Sequence, residues 1–286
     1  MKRFWKFLFL CAVPFLIYFT IENVLVGLVE ILRPELWDVP EFPLAATAVM
    51  DLLTIPLLFG IYRADGVRGQ RPPDRSAETG WGLYLISAVS FVGIYLAVNM
   101  LLDVFGIAWN DEEFQEISES IESVSPGLQL LTAGIIGPVM EELLFRGLLL
   151  RRTEKAVGPR WAMLLSSFLF GLFHGNLTQG LAAALLGIFL GTAYLCTDSL
   201  LFPVLMHAAA NCTAVLMGVP AAAEVLDSDL FYLLIPCFCA AALGVFLRMY
   251  AEPFRQLGER WRRSREEEII WLPAEEMPEE DKGEMK

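Results

Sequence analysis

Histidine is scarce in this chain of 286 residues, which has two, His174 and His207. Neither belongs to an HExxH pattern, so the helix that would bring two imidazoles to a zinc ion one turn apart is absent. Cysteine is sparse as well. Cys11, Cys196, Cys212, Cys237 and Cys239 all lie in apolar stretches and have no zinc-type spacing to a histidine. They read as small packing residues, Cys237 and Cys239 pointing to different sides of a helix. No serine or cysteine stands beside a histidine as an evident nucleophile. There is no internal repeat and no pair of broken helices in matching halves, which argues against a transporter.

Polar residues as a whole are in short supply. The chain is 56% hydrophobic with a mean hydropathy of +0.52, too apolar for a soluble domain of this length, so we expect a membrane protein. The net charge of -13 sits largely in one short loop and the C-terminal tail and does not point to a nucleic-acid partner. About 20 apolar residues are needed per membrane helix. Eight stretches qualify: 4–32, 42–62, 81–105, 128–150, 160–175, 177–197, 200–218 and 230–250. The expected fold is all-α, a polytopic transmembrane bundle over residues 1–250 followed by a charged tail, 251–286, with disorder beyond about residue 266. The first apolar stretch is too long for a signal-peptide core and lacks a small-residue cleavage site, so it reads as a retained span.

Lys and Arg are confined to one set of connections. Lys2, Arg3 and Lys6 precede the first span; Arg63 to Arg75 join the second to the third; Arg151 to Arg160 join the fourth to the fifth; Arg248 to Arg265 follow the eighth. The other connections hold only Arg33, with the acidic run DEEFQEISESIES and Glu224, Asp227 and Asp229. The positive-inside rule then places both termini in the cytoplasm, the protein residing in the cell (inner) membrane. Phe114, Ile117, Ile121 and Val124 recur three or four apart in the acidic run, which predicts a short helix on the outer surface.

Against this apolar background GPVMEELLFRG, residues 137–147, is out of place, because each charge in hydrocarbon costs at least a few kcal/mol. Glu142 and Arg146 are four apart and share a helix face, so they can pair. Glu141, about 100° around the helix, is left to present a carboxylate to a cavity. FGLFH puts Phe170 and His174 four apart in the fifth span; HAAAN puts His207 and Asn211 four apart in the seventh, with only alanines between them. Counted at 1.5 Å per residue from the cytoplasmic ends, Glu141 lies about 15 Å deep, His207 about 10 Å and His174 about 20 Å. The groups can meet at mid-membrane, around a cavity expected to open to cytoplasmic water. A desolvated carboxylate is a better base for water, an imidazole at His174 can orient that water, and His207 and Asn211 can donate to a developing oxyanion. That set suits amide hydrolysis. Pro138, just before the glutamates, should kink its helix and free a carbonyl near the site. Among other polar residues within spans, Glu22, Asn23, Asp51 and Asn99 read as interhelical hydrogen-bonders or cavity lining, Asp51 being the best placed.

EELLFR, FGLFH and HAAAN together resemble the motifs EExxxR, FxxxH and HxxxN/B of the CPBP (CAAX protease and bacteriocin-processing, Abi) family of intramembrane proteases, related to the type II CAAX prenyl proteases. The resemblance covers about residues 128–218. It implies a peptidase with Glu141 as catalytic base, His174 as its partner in activating water, His207 and Asn211 as the oxyanion site, and Glu142, Arg146 and Phe170 in support. A cavity within the bilayer suits a membrane-anchored or prenylated-like peptide or protein as partner beside the lipid itself, and the version without a cofactor is preferred because Asn211 is a poor zinc ligand and a good oxyanion donor. Two other readings fit the same residues: a zinc-dependent version with Glu141, His174 and His207 as ligands, and a non-catalytic immunity or scaffold protein that binds peptide in the cavity.

Overall fold

The computed structural model describes residues 2–68, 80–219, 222 and 228–270. Within these it is all-α. The helices are α1 (Lys2–Leu32), α2 (Phe42–Arg68), α3 (Trp81–Val104), α4 (Glu112–Glu122), α5 (Pro126–Val157), α6 (Pro159–Phe173), α7 (Leu177–Thr197), α8 (Leu201–Met217) and α9 (Asp229–Ile270). Short 3₁₀ turns, Pro34–Asp38 and Ala108–Asn110, sit in the α1–α2 and α3–α4 connections.

Six of the helices are long and apolar enough to cross a membrane. With the shorter apolar helices α6 and α8 they account for the eight expected spans. Those two have 15 and 17 residues, about 22–26 Å of helix against about 30 Å of hydrocarbon. They are also the helices that carry the histidine motifs. Spans this short finish inside protein, where their end groups find partners other than lipid.

The α6–α7 hairpin is closed by backbone chemistry. His174 ends α6, Gly175 takes a left-handed conformation (φ 83°), and Asn176 caps α7 by accepting from the Gln179 N–H at 2.9 Å. The two helices then pack almost backbone to backbone, since a Cβ on Gly171 would lie 2.5 Å from the Gly180 carbonyl oxygen. Leu58, Leu144, Phe145, Leu148, Leu190 and Met206 fill the buried centre, while Phe9, Leu16, Leu52, Phe168 and Leu172 point outward as lipid-facing surface.

The acidic run forms α4 as its periodicity predicts. Asp111 caps it through the Phe114 N–H at 3.1 Å, and its second oxygen accepts from the Thr178 N–H (2.8 Å) and hydroxyl (2.7 Å). One carboxylate therefore ties the start of α4 to the start of α7. Those bonds, the Thr178 hydroxyl's first, hold the Asp111 carboxyl below the usual carboxylate range. At the C-terminal end the structure departs from the expected tail. α9 runs past residue 250 to Ile270, with Phe254 and Leu257 packed beside Leu150, Met163, Tyr194 and Leu195. Side-chain pairs of Arg255 with Glu252 and Glu259 support this extension. The rest of the tail, and Glu224, Asp227, Arg71 and Arg75, lie outside the described residues.

Candidate functional site

The site begins with a helix that is not uniformly α. In α5 the stretches Thr132–Ile136 and Leu143–Leu150 are wound as π-helix on either side of the α-helical Gly137–Glu142. Pro138 supplies a reason for the first: it has no N–H for the carbonyls four and five residues back, those of Gly134 and Ala133. Both carbonyls are met from α8. Asn211 Nδ2 donates to Ala133 O at 2.8 Å, and the Cys212 thiol reaches Gly134 O at 3.7 Å. In a membrane interior such repair is obligatory. The proline of one motif thus explains what the asparagine of another does, and one of the two Asn211 amide hydrogens is committed to it.

The π-wound turn that follows keeps the expected charge pair. Arg146 Nη1 donates to Glu142 Oε1 at 2.9 Å, with both side chains fully buried. The guanidinium also reaches the Gly187 carbonyl (3.3 Å) and lies over the Phe170 ring, 4.4 Å from its centroid. Gly187 leaves just enough space, because a Cβ there would come within 3.1 Å of the guanidinium. His207 also meets this pair, its Nδ1 lying 2.9 Å from the same Glu142 oxygen. A carboxylate shared with an arginine can only accept, so Nδ1 carries the proton and Nε2 faces outward. Opposite Nε2 is Glu141, whose Oε2 is 3.7 Å away and whose side chain is 19% exposed.

His174 is oriented by similar logic. Its Nδ1 sits 2.9 Å from the Phe170 carbonyl, four residues back. The carbonyl accepts, so Nε2 presents a lone pair. The Phe170 ring stands edge-on between the two imidazoles, with centroids 4.9 Å from His174 and 5.7 Å from His207. This aromatic spacer brings to one site two histidines that depth counting from the sequence placed about 10 Å apart along the membrane normal.

Glu141, Phe170, His174, His207 and Asn211 all line one cavity of about 800 Å³, and Glu142 and Arg146 stand behind its wall. The cavity does not lie toward the basic connections, as expected. Its outer walls are Glu41, Phe114, Ser118, Ile121 and Glu122, together with Gly218, at the end of the bundle that carries the acidic run. The apolar face of α4, read from the sequence as a surface helix, forms part of the cavity wall. Glu141 and Asn211 also border a smaller chamber of about 170 Å³ with Tyr18 and Asp51. The Asp51 carboxylate is buried there and one of its oxygens has no hydrogen-bonding partner. Asn23 and Asn99, expected to bond between helices or line the cavity, bond within their own helices to Phe19 O and Tyr95 O; Asn99 lines the cavity as well. The five cysteines are all unpaired.

The Glu142–His207 bond was not foreseen, since 65 residues separate its partners and no spacing rule joins them. Of the three residues considered as zinc ligands, Glu141 and His207 stand 3.7 Å apart, and among the described residues no group of three His, Cys, Asp or Glu side chains is gathered as a metal site.

Fold and site together define a polytopic membrane protein with a polar, histidine- and glutamate-lined cavity inside its helices. Comparison with known proteins bears out the resemblance read from the motifs. Residues 123–213 match the family model described as type II CAAX prenyl endopeptidase Rce1-like, a stretch that contains all seven motif residues discussed above. The chain is 28% identical over 141 residues to the Bacillus subtilis (strain 168) protein named "Putative membrane peptidase YdiL". The aligned part is 48% of this chain and spans 57% of that relative's length, a little over half. No solved structure matches the chain.

Proposed function

We propose that the protein is an intramembrane endopeptidase that hydrolyses a peptide bond of a membrane-anchored or lipidated peptide with a water activated by Glu141. The observation that carries this reading is the placement of Glu141 against His207, 3.7 Å apart on two helices, at the wall of a cavity that His174 also lines. Similarity to the Rce1-like endopeptidases and to a membrane peptidase supports the reaction class.

In this mechanism water binds between Glu141 and the free Nε2 of His174. Glu141 takes one proton, and the water oxygen adds to the scissile carbonyl carbon. The carbonyl oxygen becomes an oxyanion, to which protonated His207 donates through Nε2 and Asn211 through its uncommitted amide hydrogen. Glu142 holds His207 by Nδ1 and fixes the direction of its ring, the role of a carboxylate behind a catalytic imidazole. As the tetrahedral species collapses, the carbon–nitrogen bond breaks and the proton held by Glu141 passes to the leaving amine. Arg146 offsets the charge of Glu142, so the buried network stays intact while the charge on Glu141 changes.

The test compares protein termini in membranes from cells making the wild-type chain and the Glu141→Gln variant at equal levels. New termini that appear with the wild type alone are expected, and they name the substrate. Identical terminus profiles, with a biological effect retained by Glu141→Gln, would instead identify a peptide-binding protein without chemistry.

A further inference from the structure

The two ends of the bundle differ in charge, and the cavity belongs to one of them. At the first end Arg152 donates to Asp65 at 2.7 Å and to the Leu10 carbonyl, which joins α5, α2 and α1. Trp261 of α9 packs against Gly158, and Gly258 lies beside Arg160, so the basic α5–α6 connection and the basic part of α9 meet at the same end. At the opposite end Asp111 joins α4 to α7. Here the cavity opens, between Glu41, Ser123, Pro126 and Gly218, all exposed. Its deeper wall is Phe91, Glu141, Leu190 and His207, and none of its lining residues comes from the basic connections.

Glu41 and Glu122 line this mouth, and Glu112, Glu113, Glu116 and Glu119 stand exposed on the same short helix, α4. No Lys or Arg occurs between Arg75 and Arg146, nor between Arg160 and Arg248. Basic connections remain on the cytoplasmic face. A cavity that opens at the other end is therefore filled from outside the cytoplasm. Its acidic rim lowers the energy of a cationic segment in the mouth and raises that of an anionic one.

We infer that the cavity receives its peptide from the extracytoplasmic face of the membrane, and that its substrate is a basic, membrane-proximal segment of an anchored peptide on that face. The chemistry at the end of this route rests on the peptidase reading above; the side of entry does not. The route excludes cytoplasmic lipidated C-termini as substrates, because they cannot reach Glu141 without crossing the bundle.

The test uses the full-length chain with single added cysteines: Ser120→Cys on the exposed face of α4, Ala214→Cys within the cavity wall, and Lys155→Cys at the basic end. A membrane-impermeant maleimide is applied to right-side-out spheroplasts and to inverted vesicles, with the wild-type chain as the background for native cysteines. Ser120→Cys and Ala214→Cys are expected to react in spheroplasts, and Lys155→Cys in inverted vesicles. The opposite pattern overturns the inference, as does an Ala214→Cys that fails to react from the side that labels Ser120→Cys. A palmitoylated peptide bearing an arginine-rich segment, and its glutamate-rich counterpart, are then offered to each preparation and to detergent-solubilised protein. The basic peptide should be cleaved roughly tenfold faster or more, from the spheroplast side only. Equal rates for the two peptides, or cleavage from the vesicle side, remove the substrate assignment. Failure of the wild type to cleave either peptide in detergent counts against both the substrate assignment and the peptidase reading, while the labelling still decides the side.

Discussion

Glu141 and Glu142 are neighbours in the chain and occupy opposite kinds of place. Around Glu142 everything is closed: Arg146, His207 and the Phe170 ring leave no route for water, and one oxygen of the carboxylate has no partner. Around Glu141 everything is open, with a large cavity on one side and the Asp51 chamber on the other. A charge without solvent must be paired permanently, whereas a charge beside water can gain and lose a proton. The difference teaches that a single helical step of about 100° suffices to separate a carboxylate locked in an ion pair from one that faces a cavity.

The largest effect expected is at the open position. Glu141→Gln should lower the cleavage rate about 10²–10⁴-fold without a change in the melting temperature of the detergent-solubilised protein; equal loss of both would erase the distinction. At the closed position stability should fall instead. Arg146→Met strands a buried carboxylate and is expected to cost about 3–5 kcal/mol, read from denaturant titration in detergent. Adding Glu142→Gln should recover part of that cost, and a double variant no more stable than the single would contradict the pairing. Next in size is Asn211→Ala, which orphans the Ala133 carbonyl at about 1–3 kcal/mol. Pro138→Ala should rescue it in part by returning a backbone N–H to the helix, and no rescue would refute the link between the two motifs.

A smaller effect belongs to the latch outside the membrane. The Asp111 carboxyl is held low by Thr178, so its contribution to folding is complete above the ordinary carboxylate range and is lost as pH falls through its lowered value. Hydrogen exchange in α4 should quicken over that acid interval in the wild type. In Asp111→Asn, which cannot accept from Thr178 in the same way, exchange should be faster at neutral pH and nearly flat with acidification. The smallest expected effect is none at all: chelator treatment should leave cleavage unchanged, and a loss restored by added zinc would revive the metal reading of Glu141, His174 and His207.

Eight apolar stretches, the Glu142–Arg146 pair and the amphipathic α4 could all be read from the sequence, because each follows from periodicity along one helix. Pro138 and its freed carbonyls were equally readable, but not the Asn211 side chain that answers them, which comes from a helix more than 70 residues further on. The Glu142–His207 bond, the Phe170 spacer between the imidazoles and the end at which the cavity opens share that property. A local rule reports which residues lie on the same face of a helix, since rise and turn per residue are constant. It carries no information on how neighbouring helices slide and rotate against one another, which close packing of whole side chains determines. The sequence by itself therefore determined a membrane bundle with charged and imidazole groups in its interior. Only the tertiary structure decided which of those groups touch, which of the two glutamates meets water, and from which end the water comes.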